Sequence, residues 1–359
     1  MKKVLVVNTV PYSVNGISSV IENYFRFMDS CKVQMDFVVN EFIEPRYRDL
    51  FESKKAKIFI LKRKKVFSYI LKLRKIIREN HYDVVHIHGN SRTTILDLFG
   101  AWLGKCKFRI VHSHNTSCSH FIIHRIFKIP FDLLCTGRMA CGQEAGKWLF
   151  GNKSFEILNN ALDLKLYQFN AEMRKEIRNK LGLLNGDLLI GHVGCFNDAK
   201  NQSFSIQLLK EIQRIRPNSF LMLVGDGPRK KEMEQLVKKL DLTRHVFFMG
   251  VRDDVTSLMS AMDVFLFPSK WEGLPVVILE AQLMGLPCVM SNNIPEKVNI
   301  AEGNVRLSLT DSIEKWGTCI LQVFENSTGR QKRLVTVDDY DIQKQVKKLE
   351  SFYYCNSKA

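Results

Sequence analysis

Two doubly wound α/β domains, each a parallel sheet with helices on both faces, are predicted by this 359-residue sequence. Short apolar runs of strand length alternate with segments of helical periodicity, and the alternation occurs twice. The length is enough for two cores, and 45% hydrophobic with 25% charged residues is ordinary for a soluble globular chain. The first apolar run, residues 4–7 behind Lys2 and Lys3, is too short for a signal-peptide core and reads as a strand. Strands are expected next at 33–39, 58–61, 84–88 and 108–112, with helices at 17–28, 66–78 and 93–104 between them. The second set has strands at 188–193, 220–224, 246–248, 264–267 and 288–290, with helices at 203–215, 229–240, 255–260 and 275–284. The two sets meet near 159–163, which divides the chain into domains at 1–165 and 166–340, followed by an amphipathic helix in 341–355 with Ile342, Val346, Leu349 and Phe352.

The net charge of +16 is uneven: residues 1–165 carry 27 basic against 14 acidic side chains, while the rest of the chain is nearly balanced. Eleven basic residues and no acidic one lie between Lys54 and Arg78, where Val66, Ile70, Leu73 and Ile77 recur at helical spacing. An amphipathic helix with a solvated basic face accounts for this, as does a basic surface held against anionic lipid headgroups. No nucleic-acid module accompanies the charge, so nucleic acid is not an expected partner. Nine cysteines without a C-x-x-C pair read as thiols of a reduced, cytoplasmic protein. No run approaches 18 uninterrupted apolar residues, so no transmembrane helix is expected.

The densest chemistry lies in Phe267-Pro268-Ser269-Lys270-Trp271-Glu272-Gly273-Leu274-Pro275. A buried strand ends at Pro268, and Pro275 fits the first turn of a helix. Glu272 thus stands on a strand-to-helix loop beside the free N–H groups of a helix start, a place suited to a diphosphate. Glu280 lies in a largely apolar helix with Val276, Val277, Ile278 and Leu279, where a carboxylate needs a partner.

This stretch resembles the sugar-nucleotide site of the retaining glycosyltransferases of family 4: Phe-Pro-Ser-x-x-Glu-Gly, then Glu280-Ala281 and Gly285-Leu286-Pro287. The resemblance implies the GT-B architecture, two Rossmann-like domains facing a cleft, with the last helix crossing back to the first domain. It also implies transfer from a nucleotide-diphosphate sugar, a UDP-sugar, to a polyprenyl-diphosphate-linked saccharide in capsule or exopolysaccharide synthesis, at the inner face of the plasma membrane. Glu272 would hold the donor sugar and Glu280 the ribose, with Gly273, Leu274, Pro275 and Val276 lining the site.

Gly194-Cys195-Phe196 followed by Lys200-Asn201 resembles the family's phosphate loop, with Lys200 matching and Cys195 standing where arginine is usual. Gly225 and Val251 border the nucleotide in the family. Asn15-Gly16-Ile17 takes the place of a double-glycine loop, where asparagine tolerates positive φ and Gly16 approaches the diphosphate. His86-Ile87-His88 and His112-Ser113-His114 put alternate residues on one strand face, fitting core histidines or, with no carboxylate or cysteine at matching spacing, less well a metal. The family's cleft histidine is assigned to His114, with His112 the fallback. No D-x-D motif stands where a metal would be needed, so no cofactor is expected. The rival readings are a non-catalytic, membrane-associated sugar-nucleotide-binding subunit, favoured by Cys195, and a nucleotide-sugar epimerase on the same fold.

Overall fold

The protein is seen in a computed structural model that describes residues 1–13, 15–116, 118, 121–327 and 338–355. The chain divides into two units, Met1–Asp163 with Asp338–Ala359, and Leu164–Val337. Both are α/β with parallel sheets, as the periodicity predicts. The first unit holds β1 (Lys2–Asn8), β2 (Val33–Asn40), β3 (Ile58–Leu61), β4 (Val84–His88), β5 (Phe108–Ser113), β6 (Gly137–Ala140) and β7 (Glu156–Ile157), ordered β3-β2-β1-β4-β5-β6-β7. The second holds β8 (Leu188–Val193), β9 (Ser219–Val224), β10 (Val246–Gly250), β11 (Val264–Phe267), β12 (Cys288–Ser291) and β13 (Val305–Leu307), ordered β10-β9-β8-β11-β12-β13. Each order reverses once, between β1 and β4 and between β8 and β11. At such a reversal adjacent loops diverge to opposite faces of the sheet and leave a crevice beyond the strand ends. The central strands β4, β11 and β12 are buried along their whole length, as a sheet covered on both faces requires.

Three strands escaped the periodicity. β6 reads Gly-Arg-Met-Ala, without β-branched residues, and is a strand because it pairs with β5. A Cβ at Gly137 would stand 2.9 Å from the Phe108 ring, so the glycine lets the two strands close. β7 and β13 have two and three residues, too short for any period to show. The helix Ala171–Lys180 was missed because it buries only Ile177 and Arg178. Polar contacts seat it instead: Arg174 and Arg178 donate to Asp263 at 2.5 and 3.0 Å, and Asp263 also accepts from the Leu189 amide.

The final helix, Ile342–Cys355, belongs to the first unit. Ile342, Val346, Leu349 and Tyr353 join a core with Val6, Tyr24 and Phe37, while Phe352, expected inside, is only partly buried. The strap before it is fixed by two backbone hydrogen bonds, Leu162 to Tyr340 at 2.8 Å and Ile342 to Leu162 at 3.0 Å.

The basic segment corrects two expectations. In the helix Val66–Asn80 the buried residues are Tyr69, Ile70, Leu73 and Ile77, whereas Val66 is exposed. Arg63 is no solvated charge. Its guanidinium donates to Asp97 at 2.9 Å and to the Thr93 carbonyl, and the Tyr69 hydroxyl donates to the same wholly buried carboxylate. Burial pushes the Asp97 carboxyl up, against the opposing pull of Arg63 and Tyr69. No helix among the described residues is long and apolar enough to cross a membrane. Arg63→Gln strands a buried charge and is expected to cost about 3 kcal/mol or more in chemical denaturation. Lys64→Gln, at an exposed ion pair with Glu41, should leave the midpoint nearly unmoved; equal effects of the two would contradict the assignment.

Candidate active site

Four loops of the second unit leave adjacent strands at their carboxyl ends and are stitched together through the backbone. The Gly225 amide donates to Gly250 at 2.8 Å, Gly194 to Val224 at 2.9 Å, Phe196 to Asp226 at 3.0 Å and Lys270 to Ala199 at 2.8 Å. Gly225 cannot be another residue: its φ is +130° and a Cβ would stand 2.3 Å from the Gly194 carbonyl. Gly194 in turn packs against the Lys200 stem, and Val251, just past the glycine that ends β10, is exposed.

Where the strand order reverses, Lys200 from the loop after β8 meets Glu272 from the loop after β11, Nζ to Oε1, at 2.8 Å. Both side chains are largely buried. The contact is electrostatic, because its angles are not those of a hydrogen bond and Oε1 has no hydrogen-bond partner. The Lys200 ammonium also lies 4.5 Å from the centroid of the Phe267 ring. Beside them the Ser269 hydroxyl is fully buried and unpartnered. Sequence reasoning passed it over as a strand end. The helix Val276–Leu283 begins one residue later than expected: Pro275 is its N-cap rather than its first-turn residue, with φ −74° and ψ 95°. No side chain caps that start, and no acidic residue stands in its first turn. Its free N–H groups and partial positive charge are left for a ligand. Leu274 is buried beneath the turn.

Glu280 finds the partner its apolar helix demanded in Tyr167, whose hydroxyl donates at 3.1 Å. Nothing in the local pattern pointed to Tyr167, which lies 113 residues away. Burial pushes the Glu280 carboxyl up to about 7, the tyrosine opposing. Cys195 is exposed. Arg229, on the neighbouring loop, is already engaged by Asp198 and Glu232.

The first unit carries the remaining expected residues at the carboxyl edge of its own sheet. Gly16 opens the helix Gly16–Phe27, with no protein atom near a would-be Cβ. Asn15 does not use positive φ. It is extended at φ −149°, and its side chain caps the helix by accepting from Ser18. His114 is partly buried past the end of β5, its amide donating to Asn90. His112, the fallback, has no exposure, whereas His114 is partly exposed. The two histidine pairs, read separately in the sequence, come together because His88 and His112 are register partners on adjacent strands.

The family described as "Glycosyl transferases group 1" matches residues 173–336. The chain is 32% identical to the putative glycosyltransferase EpsF of Bacillus subtilis (strain 168), across 94% of this chain and 93% of that protein. It is 27% identical to the UDP-Gal:alpha-D-GlcNAc-diphosphoundecaprenol alpha-1,3-galactosyltransferase of Escherichia coli, across 79% of this chain and 78% of the other. Among solved structures, Anabaena Alr3699/HepE in complex with UDP and glucose superimposes with a TM-score of 0.80 at 18% identity, covering 98% and 99% of the two chains.

The raised Glu280 carboxyl has a consequence for stability. Its folded value of about 7 exceeds the ordinary 4.5, so ionisation costs stability progressively as pH rises from about 4.5 through 7. Glu280→Gln is therefore expected to raise the melting temperature at pH 8 and to leave it unchanged at pH 4. A uniform shift at both would mean that the carboxyl is not held in its neutral form.

Proposed function

The chain belongs to the group 1 glycosyltransferases, and we propose that it moves a hexose with retention of configuration from a UDP-sugar to a polyprenyl-diphosphate-linked saccharide in exopolysaccharide or capsule synthesis. The observation that carries this is the Lys200–Glu272 contact beside an uncapped helix start at the reversal of the second sheet. One cation, one carboxylate and a row of free amides at one place match a ligand with an anionic diphosphate and a hydroxylated sugar. In transfer the bond from the anomeric carbon to the diphosphate breaks, and charge grows on the leaving oxygen. Lys200 and the amides of Gly273, Leu274 and Val276 would stabilise that charge. Pro275 has no amide to offer but sets where the helix begins. Glu272, released from Lys200, would accept from sugar hydroxyls, and Glu280 from the ribose. The backbones at Gly194, Gly225 and Val251 would border the nucleotide. From the first unit, His114 is assigned to the transferred sugar and the Gly16 amide to the diphosphate. No divalent metal is needed at the diphosphate, and nucleic acid is no partner.

Two relatives support the substrate class: the Anabaena protein binds UDP and glucose, and the Escherichia coli enzyme uses UDP-Gal and a diphosphoundecaprenol-linked sugar. Nucleotide sugars place the reaction in the cytoplasm. The rival, a non-catalytic sugar-nucleotide-binding subunit, is favoured by Cys195 and by the engagement of Arg229 elsewhere. Incubation with UDP-hexoses and a polyprenyl-diphosphate-linked N-acetylhexosamine separates the two. A glycosylated product with retained configuration supports transfer, whereas donor binding without product supports the rival. Losing one charge-assisted contact of about 1.5–3 kcal/mol, Lys200→Ala should weaken UDP by about 10–100-fold while leaving uridine nearly untouched. Equal loss for both in calorimetry would remove Lys200 from the diphosphate.

The acceptor's lipid calls for a membrane, and we propose that the first unit rests peripherally on the anionic inner face of the plasma membrane. The helix Val66–Asn80 exposes Phe67 and Leu71 beside Lys72, Lys75 and Arg78. It packs on the helix Ile95–Leu103, which exposes Phe99 and Trp102, and that packs on Lys128–Leu134, which exposes Ile129 and Leu133. Apolar side chains rimmed by cations are the composition of an interfacial surface. Because Arg63 is structural, the test replaces Lys62, Lys64 and Lys65 with glutamine. Co-sedimentation with anionic vesicles should fall in this variant and fall again for the native protein near 1 M salt; binding indifferent to both would end the membrane assignment.

A further inference from the structure

The core row of β4 runs Val84-His86-His88, and that of β5 runs Phe108-Ile110-His112, on one face of the sheet. At the carboxyl edge both rows change from apolar side chains to imidazoles. His86, His88 and His112 are all at least nine-tenths buried, and one ring nitrogen from each lies within 4.8 Å of the others. Their rings stack, with centroids 4.3 Å apart for His86 and His88 and 5.1 Å apart for His88 and His112.

The hydrogen bonding is lopsided. The Nδ1 of His86 bonds the Tyr353 hydroxyl at 2.7 Å, and the Nδ1 of His88 bonds the Nε2 of His114 at 2.8 Å. On the inward side, His86 Nε2 and both ring nitrogens of His112 are buried without a partner. The Leu158 carbonyl lies near the His112 ring as an acceptor, but outside hydrogen-bond geometry. An unmet buried polar atom costs about 1–3 kcal/mol, and a native core seldom gathers three in one spot.

We propose that His86, His88 and His112 form a binding site for a divalent first-row transition metal, with Zn²⁺ as the type. Imidazole donors select that class of ion. Tetrahedral coordination at Zn–N of about 2.0–2.1 Å would bring the nitrogens to about 3.4 Å from one another. The outer bonds from Nδ1 to Tyr353 and to His114 are what orient ligating histidines in such sites. The ion would pin β4 to β5 and, through Tyr353, to the final helix of the same unit. It would also set a tautomer: with His88 bound through Nε2, its Nδ1 proton is donated to His114 Nε2, and His114 keeps its own proton on Nδ1. This last consequence rests on the role given to His114 under the proposed function, whereas the site itself does not.

The test uses the full chain, stripped with chelator and titrated with Co²⁺, with absorption as the readout, so it stands or falls independently of glycosyl transfer. One ion per chain is expected, with tetrahedral d–d bands and no thiolate-to-cobalt charge transfer, despite nine cysteines, and one equivalent of Zn²⁺ should displace it. Tyr353→Phe should weaken binding by about 10–100-fold, and His112→Gln should abolish the spectrum. Should His112→Gln fail to fold, X-ray absorption on the Zn²⁺ form of the native protein decides: three imidazoles at zinc uphold the site, and thiolate ligation overturns it. Absence of any cobalt spectrum at micromolar metal, or one that persists in His112→Gln, overturns it as well.

Discussion

Four backbone hydrogen bonds between loops hold the second unit's chemistry in place. They link the ends of β10, β9, β8 and β11 in the order in which those strands lie in the sheet. Lys200 and Glu272, 72 positions apart in sequence, meet because those loops cannot drift independently. The glycine at 225 is the tightest joint, since its missing side chain admits the Gly194 carbonyl. An ion pair of two long, flexible side chains would be worth little on an open surface. Here the stems are packed, one against Gly194 and the Phe267 ring, so little freedom remains to be lost when a ligand arrives.

Much of this was legible in the residues. Parallel strands buried on both faces are nearly continuous apolar runs, and ten of the thirteen announced themselves that way. The loop residues carried their own signal, because glutamate, lysine and glycine between a buried strand and a helix seldom serve a core. What stayed hidden was decided by distant partners. Tyr167 reaches Glu280 across 113 positions, and Arg63 is claimed by Asp97 rather than by solvent. The Ala171–Lys180 helix is held by arginines rather than by an apolar stripe. The two histidine pairs were visible, but their union depended on β4 and β5 being neighbours in register.

The two faces of the first sheet are used differently. One carries the helices Gly16–Phe27 and Ile342–Cys355 over an aromatic core in which the Phe37 and Phe51 rings stack at 3.7 Å. The other carries helices whose outer sides show phenylalanine, tryptophan and isoleucine among lysines. The imidazoles of His86 and His112 lie on the first face, while exposed apolar atoms gather on the second. The membrane and metal proposals therefore concern separate surfaces of one unit.

The first unit is sewn from both ends of the chain. Its core contains Ile342, Val346, Leu349 and Tyr353, which a ribosome makes only after the whole of the second unit. During synthesis the amino-terminal sheet must wait with part of its apolar face uncovered while some 170 residues of the other unit emerge and fold. Order of assembly is thus inverted relative to order of synthesis: every residue of the second unit is made before the helix Ile342–Cys355, and the first unit closes only once that helix has emerged. A nascent or truncated chain lacking its last helix would present that open aromatic surface to chaperones, proteases and its own kind.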